Sequence, residues 1–146
     1  MIITESTEKD TREIRNLLIS ENLPVKDIRY GTITFWVLKN QQELVGVIGL
    51  ETFNKFGLLR SLAVKKDFKN QGFGSKLIEH VIKHSSKQKI QTLYLLTTTA
   101  EQLFKKLGFK LVQRTDCPDS IKNTAEFKDI CPESAITMVK DLSKRI

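Results

Sequence analysis

A change of hydrophobic period near residue 65 constrains the fold more than any other feature of the sequence. Leu58–Val64, with the sequence LLRSLAV, is mostly apolar and predicts a strand. The apolar residues of Gly72–Ser85 recur at the spacing of one helix face, at Leu77, Ile78, Val81 and Ile82. The chain therefore passes from a strand, through a short loop, into an amphipathic helix that begins at a glycine.

The flanking sequence predicts further strands and helices in one domain that covers residues 1–146. Helical spacing marks Thr11–Glu21 and Ala100–Leu107, the second ended by Gly108. Further strands are predicted at Thr32–Leu38, Leu44–Leu50, Thr92–Leu96, Phe109–Val112 and Ala135–Val139. A loop around Asn54 and Gly57 precedes Leu58, and residues 115–134 are irregular with short helical turns. We expect an α/β (α+β) fold, with a mixed, mostly antiparallel central sheet of about six to seven strands that is flanked by helices.

The net charge of +7 suits an anionic partner, either a nucleotide-like cofactor or nucleic acid. The lysines are spread along the chain, and no RNP, zinc-finger or basic-zipper signature is present. No apolar run approaches the roughly 18 residues that span a membrane. The polar start MIITESTEKD does not resemble a secretory signal. We expect a cytoplasmic protein with neither a nucleic-acid nor a membrane partner.

Cysteine and histidine spacing gives little sign of a metal site. Cys117 and Cys131 form no CxxC motif, so packing thiols are expected, with a soft-metal contact as the alternative. His80 and His84 lie one helical turn apart, but no third ligand is nearby in the sequence. We expect exposed helix positions for both histidines and no bound metal.

The segment between strand and helix, Lys69–Ser75, has the character of a phosphate site. A helix N-terminus presents unpaired N–H groups and the positive end of its dipole, and glycines allow a close approach. The P-loop pattern is absent, and the dinucleotide pattern fails at Leu77. Gly72 and Gly74 alone are equally compatible with a helix start that binds nothing.

LAV followed by KNQGFGSKLI resembles the acetyl-CoA motif of the GNAT (Gcn5-related) N-acetyltransferases, and AEQLFKKLGF (Ala100–Phe109) resembles their second motif. The resemblance implies the GNAT fold and acetyl-CoA as co-substrate. It also implies transfer of an acetyl group to a small-molecule amine or amino acid, by a monomer or homodimer. The implied cofactor-binding residues are Leu62, Ala63, Val64, Lys69, Asn70, Gln71, Gly72, Phe73, Gly74, Ser75, Thr97 and Phe104.

Three positions depart from that family pattern. Lys69 replaces the usual arginine or glutamine, and Thr97 replaces an asparagine that touches the cofactor in many relatives. Phe104 replaces a tyrosine that serves as general acid, which leaves a catalytically silent acyl-CoA-binding protein as the alternative function. LLRSLAV, LYLLTTTAEQLFKKLGF and ICPESA are similar to the GNAT subgroup linked to bacterial arsenic resistance. An organoarsenical amino acid is one acceptor that this similarity suggests.

Two charged residues are candidates for the chemistry. Glu51 ends the LVGVIGLE strand and could take the proton of the amine, or it could be a surface carboxylate that closes a hairpin. Arg60 interrupts an apolar strand, so it either faces solvent or binds a carboxylate of the substrate. Strand alternation predicts that Ser61 faces away from Arg60.

Overall fold

The computed structural model describes residues 1–26, 28, 33–130 and 135–143. The strands are β1 (Ile2–Glu5), β2 (Thr34–Asn40), β3 (Glu43–Phe53), β4 (Phe56–Val64), β5 (Thr92–Thr97), β6 (Lys110–Val112) and β7 (Ile136–Asp141). The helices are α1 (Thr11–Ser20), α2 (Phe73–Lys87), α3 (Glu101–Lys106) and α4 (Asp119–Lys122). Short 3-10 turns lie at Glu8–Asp10, Lys66–Phe68 and Arg114–Asp116, with a π-helical turn at Glu126–Ile130.

The seven strands hydrogen-bond in the order β1-β2-β3-β4-β5-β7-β6. The pairs β1–β2, β2–β3, β5–β7 and β6–β7 are antiparallel, and β4–β5 is parallel. The predicted mixed, mostly antiparallel sheet is confirmed. β5 has a neighbour on both sides, which is consistent with the apolar residues Leu93–Leu96 in its middle. β1 was not predicted, because four residues at the start of the chain give too short a pattern.

The predicted loop around Asn54 and Gly57 is wrong. β3 continues to Phe53, and a tight turn at Asn54 and Lys55 leads directly into β4. Asn54 has a φ of 60°, and asparagine tolerates this left-handed conformation better than most residues. Gly57 is therefore a strand residue, and Glu51 lies inside β3 rather than at its end.

The chain forms two compact units, and the first comprises Met1–Glu51 and Arg60–Ile82. α1 turns one apolar face toward the sheet, and its Leu18 is fully buried. The core that it joins includes Ile14, Leu17, Phe35, Val37, Leu44, Val47 and Ala63. α2 packs closely on β3, since a Cβ on Gly46 would lie 3.1 Å from Leu77 Cδ1. These contacts fix the start of α2 relative to the end of β4.

The second unit comprises Thr52–Leu59 and Lys83–Ile146. Its core contains Leu58, Tyr94, Cys117, Ile121 and Phe127. α3 ends in a Schellman motif, because Gly108 N–H donates to Lys105 O and Phe109 N–H donates to Phe104 O. Gly108 has a φ of 95°, and the prediction that it ends this helix is confirmed.

Candidate functional site

β4 is irregular at Ser61, whose φ of 58° is left-handed. Its register with β5 runs from Phe56↔Thr92 to Leu59↔Leu95, so the irregularity follows the paired part of the strand. The expectation that Ser61 faces away from Arg60 is wrong, because Arg60 Nε donates to Ser61 Oγ at 3.2 Å. A left-handed residue interrupts the alternation of a strand, and here two successive side chains are both buried.

The two charged candidates form an ion pair. Arg60 Nη1 lies 2.8 Å from Glu51 Oε1, and the side chains are 0 % and 15 % exposed. Arg60 therefore does not face solvent, and Glu51 is not an exposed surface carboxylate. A guanidinium can be buried at low cost only where its N–H groups are hydrogen-bonded. Oxygens of Glu51 and Ser61 accept two of these hydrogen bonds. The structure brings the predicted base and the predicted substrate-binding residue into direct contact.

The glycine segment follows β4 through the 3-10 turn and a left-handed Asn70, with a φ of 64°. Gly72 also has a positive φ of 85°, and α2 begins at the next residue. The N–H of Lys76 donates to Gly72 O, which closes the first turn of the helix. The amides of Phe73, Gly74 and Ser75 precede that bond, and helix geometry gives such amides no partner within the helix.

The approach to this helix start is open. A Cβ on Gly72 would have no atom within 4 Å, so the position is free of steric contact. Lys69, Asn70, Gln71 and Gly72 are exposed, and Phe73, Gly74 and Ser75 are half-buried. The rings of Phe68 and Phe73 lie 6.4 Å apart between centroids, with an angle of 50° between their planes. The segment is therefore both accessible and held by packing.

Lysines of the loop before α2 form ion pairs with acidic residues of neighbouring elements. Lys69 pairs with Glu21 at the end of α1, and Lys65 Nζ lies 3.0 Å from Glu43 Oε2. A cavity of about 410 Å³ lies between α1 and the loop, lined in part by Glu21, Lys65 and Lys66. The helix dipole and the amides of the first turn suit a diphosphate. No local sequence pattern predicts the pair of Lys69 with Glu21, because it joins residues far apart in the chain.

The end of β4 carries the remaining predicted residues of the first unit. The side chain of Ala63 is buried in the core, whereas Leu62 and Val64 are half-buried. The strand is anchored at its end, where Lys65 N–H donates to Val45 O at 2.8 Å.

Thr97 and Phe104 lie in the second unit, at the two ends of the α3 region. Thr97 Oγ1 accepts from Ala100 N–H at 3.0 Å and from Thr99 N–H at 3.4 Å. Phe104 is 5 % exposed and meets Phe109 edge-on, with 5.3 Å between ring centroids. Both residues therefore have a role in the local fold, and their contact with a cofactor stays a prediction.

The cysteines and histidines do not form a site in the described part of the chain. Cys117 is buried, with Sγ 3.8 Å from Gln113 O, and burial raises the pKa of this thiol. Cys131 lies outside the described residues, as do the neighbouring residues of ICPESA up to Ser134. The His80 ring lies 6.2 Å from that of Trp36. Residues 1–26, 28, 33–130 and 135–143 hold no cluster of three His, Cys, Asp or Glu suited to a metal.

No helix among the described residues is both long and apolar enough to cross a membrane.

Comparison with known proteins adds a family match. A family model described as "Acetyltransferase (GNAT) domain" matches residues 31–111, which contain β2 to β5, the glycine segment and α3. An uncharacterized N-acetyltransferase of Chlorobaculum tepidum is 28 % identical over 115 residues. That alignment covers 74 % of this chain and 70 % of the relative.

Solved structures share the fold over nearly the whole chain. An N-acetylglutamate synthase from Neisseria gonorrhoeae, complexed with coenzyme A and L-arginine, matches with a TM-score of 0.80 and 21 % identity. The match covers 98 % of this chain but 33 % of the synthase, so this chain spans about a third of that protein. A GNAT-family acetyltransferase from Staphylococcus aureus matches with a TM-score of 0.76, 23 % identity, and coverage of 97 % and 98 %.

Proposed function

Because the chain belongs to the GNAT acetyltransferase family, we propose that it transfers the acetyl group of acetyl-CoA to the amine of a small molecule or amino acid. One observation carries the proposal: the start of α2 is open and glycine-led, and a short loop that contains lysines connects it to β4. This is an anion site that the family's diphosphate-containing co-substrate would fit.

The proposed cofactor contacts are mostly made by the backbone. The amides from Lys69 to Ser75 would bind the diphosphate, with Lys69 adding a cation beside them. Gly72 provides the space for that approach, since no side chain or neighbouring atom occupies it. The backbone groups of Leu62 and Val64 would pair with the pantetheine arm, beyond the part of β4 that pairs with β5. Thr97 and Phe104 remain candidates for contacts near the thioester.

The chemistry requires a base, a stabilised oxygen and a proton for the leaving thiol. Acetyl-CoA supplies the acetyl group as a thioester. Glu51 would accept the proton of the amine, directly or through water. An N–H of Leu62 or Val64 would donate a hydrogen bond to the carbonyl oxygen as negative charge develops there. Phe104 has no acidic proton, so water or a hydroxyl near Thr97 would protonate the thiolate.

An amino-acid acceptor is the finer part of the proposal. It is supported by the fold shared with an N-acetylglutamate synthase, and by the similarity of three segments to the arsenic-resistance subgroup. Those segments are Leu58–Val64, Leu93–Phe109 and Ile130–Ala135. They make an organoarsenical amino acid worth including among the acceptors tested.

A thiol-release assay with acetyl-CoA and a panel of amines tests the proposal. The panel would contain amino acids, their decarboxylated amines, an organoarsenical amino acid and short peptides. We expect calorimetry to detect acetyl-CoA binding and at least one amino acid to stimulate thiol release. Binding without any acceptor-dependent release would favour the silent acyl-CoA-binding alternative. Absence of binding would refute both functions.

A further inference from the structure

Arg60 is a fully buried cation in the middle of β4. Its side chain is 0 % exposed, although arginine is rarely buried to this degree without partners. The guanidinium has five N–H donors in a rigid fork and cannot give up its charge in a protein. The groups around Arg60 must therefore accept hydrogen bonds from its guanidinium, and the identity of these acceptors indicates the role of the residue.

Two of those partners are known, and both belong to the candidate site. Nη1 donates to Glu51 Oε1 at 2.8 Å, and Nε donates to Ser61 Oγ at 3.2 Å. Ser61 can reach Nε because its left-handed φ of 58° brings two successive side chains together. A non-glycine residue in this conformation is uncommon, and such strain is often found at functional sites. The irregularity of β4 thus orients the guanidinium.

Glu51 is held by this pair while part of its surface remains accessible. Its side chain is 15 % exposed, in contrast to the fully enclosed guanidinium. The two residues lie on β3 and β4, which a turn of two residues joins into a hairpin. A charge-assisted hydrogen bond from a fixed arginine restricts the rotamers of the carboxylate. Glu51 can therefore contact a substrate, whereas Arg60 can do so only after its surroundings rearrange.

We infer that Arg60 is a positioning residue that orients the Glu51 carboxylate, and that it makes no contact with the acceptor. This inference rests on the proposed function, in which Glu51 is the base. Direct binding of an acceptor carboxylate by Arg60 is the competing hypothesis, and it predicts a different kinetic result. Loss of orientation lowers kcat, because a displacement of about 1 Å can cost roughly 100-fold in rate. Loss of a substrate contact raises KM.

A kinetic cycle of Arg60→Lys, Glu51→Gln and the double variant separates the two hypotheses. Lysine keeps the charge but lacks the planar fork, so it cannot hold both Glu51 and Ser61 in the same way. We expect Arg60→Lys to lower kcat about 10- to 100-fold, with KM for the acceptor and Kd for acetyl-CoA within about twofold of wild type. In the Glu51→Gln background, the same change should alter kcat by less than about twofold, because its effect acts through the carboxylate.

The outcomes that overturn the inference are equally specific. A rise in KM of about tenfold or more in Arg60→Lys, for amino acids but not their decarboxylated amines, would show that Arg60 binds the acceptor. An undiminished loss of kcat in the Glu51→Gln background would show that Arg60 does not act through Glu51. A wild-type protein without acceptor-dependent turnover would refute the proposed function itself, and the inference with it.

Ser61→Ala provides a second test that does not alter the ion pair. It removes the acceptor for Nε, and we expect kcat to fall by about two- to fivefold with KM unchanged. Acetyl-CoA affinity and thermal melting of each variant confirm that the protein is folded. An unchanged kcat in Ser61→Ala, with a melting temperature equal to wild type, would contradict a role for this hydrogen bond in positioning.

Discussion

Gly72 and Gly108 are the two glycines with a positive φ among the described residues, at 85° and 95°. Gly72 precedes α2, where the proposed diphosphate site lies, and Gly108 ends α3 in the second unit. Each adopts a conformation that costs other residues energy. Replacement of each by alanine therefore imposes a similar backbone penalty, but only one of the two changes affects the proposed cofactor site.

The size of both effects follows from the structure. A left-handed backbone costs a residue with a Cβ about 1–2 kcal/mol, which lowers the melting temperature of a domain of this size by about 2–8 °C. At Gly72 the penalty is purely conformational, because the new methyl would have no atom within 4 Å. A diphosphate seated on the amides would meet that methyl, and loss of two charge-assisted hydrogen bonds costs about 3–6 kcal/mol. Affinity for acetyl-CoA should therefore fall at least 100-fold, or about 2.7 kcal/mol.

Calorimetry with acetyl-CoA and thermal melting of Gly72→Ala and Gly108→Ala provide the measurement. We expect both variants to melt at lower temperature, and only Gly72→Ala to lose affinity. At Gly108 the methyl would meet the flexible end of Lys140, which can move aside. Wild-type affinity in Gly72→Ala, together with its lowered melting temperature, would refute the proposed phosphate site. An equal loss of affinity in both variants would show that the effect comes from destabilisation.

Three further changes test separate parts of the argument. Glu51→Gln should lower kcat about 100-fold or more, whereas the Kd for acetyl-CoA should stay within about twofold of the wild-type value. Equal turnover of variant and wild type from pH 6 to 9 would exclude Glu51 as the base. Phe104→Tyr should raise kcat by no more than about 30-fold. This limit corresponds to the roughly 2 kcal/mol that protonation of a thiolate of pKa near 8.5 can supply at pH 7. An unchanged kcat would show that protonation of the thiolate does not limit the rate. Burial raises the pKa of the Asp10 carboxyl, but hydrogen bonds from Thr7 and the charge of Lys39 outweigh it and lower the pKa below 3.8. Its stabilisation is present above the unfolded pKa of about 3.9 and is lost as pH falls through the lower folded pKa. The melting temperatures of wild type and Asp10→Asn should therefore differ at pH 7 and converge as pH falls below the folded pKa of Asp10.

Local patterns were sufficient for most of the fold. The apolar spacing of α2 and the strand composition of β3 to β5 depend on residues within one element, and these elements lie where the sequence predicts. The end of α3 was also predictable, because a Schellman motif needs one glycine and an apolar contact, here Phe104 with Phe109. β1 gave no usable pattern, because its four residues form an edge strand with little buried surface.

The pairing of Glu51 with Arg60 could not be predicted by the same means. It depends on the β3–β4 turn, where the sequence pattern predicts a longer loop, and on a left-handed serine that no composition rule indicates. A strand with regular alternation would separate Arg60 from Ser61, and the sequence therefore suggested an arginine free to face solvent or substrate. The observed irregularity instead encloses the arginine and leaves the carboxylate partly exposed. The acidic partner is thus the one of the two with surface open to a substrate, and we infer that the basic partner acts on the chemistry only through it.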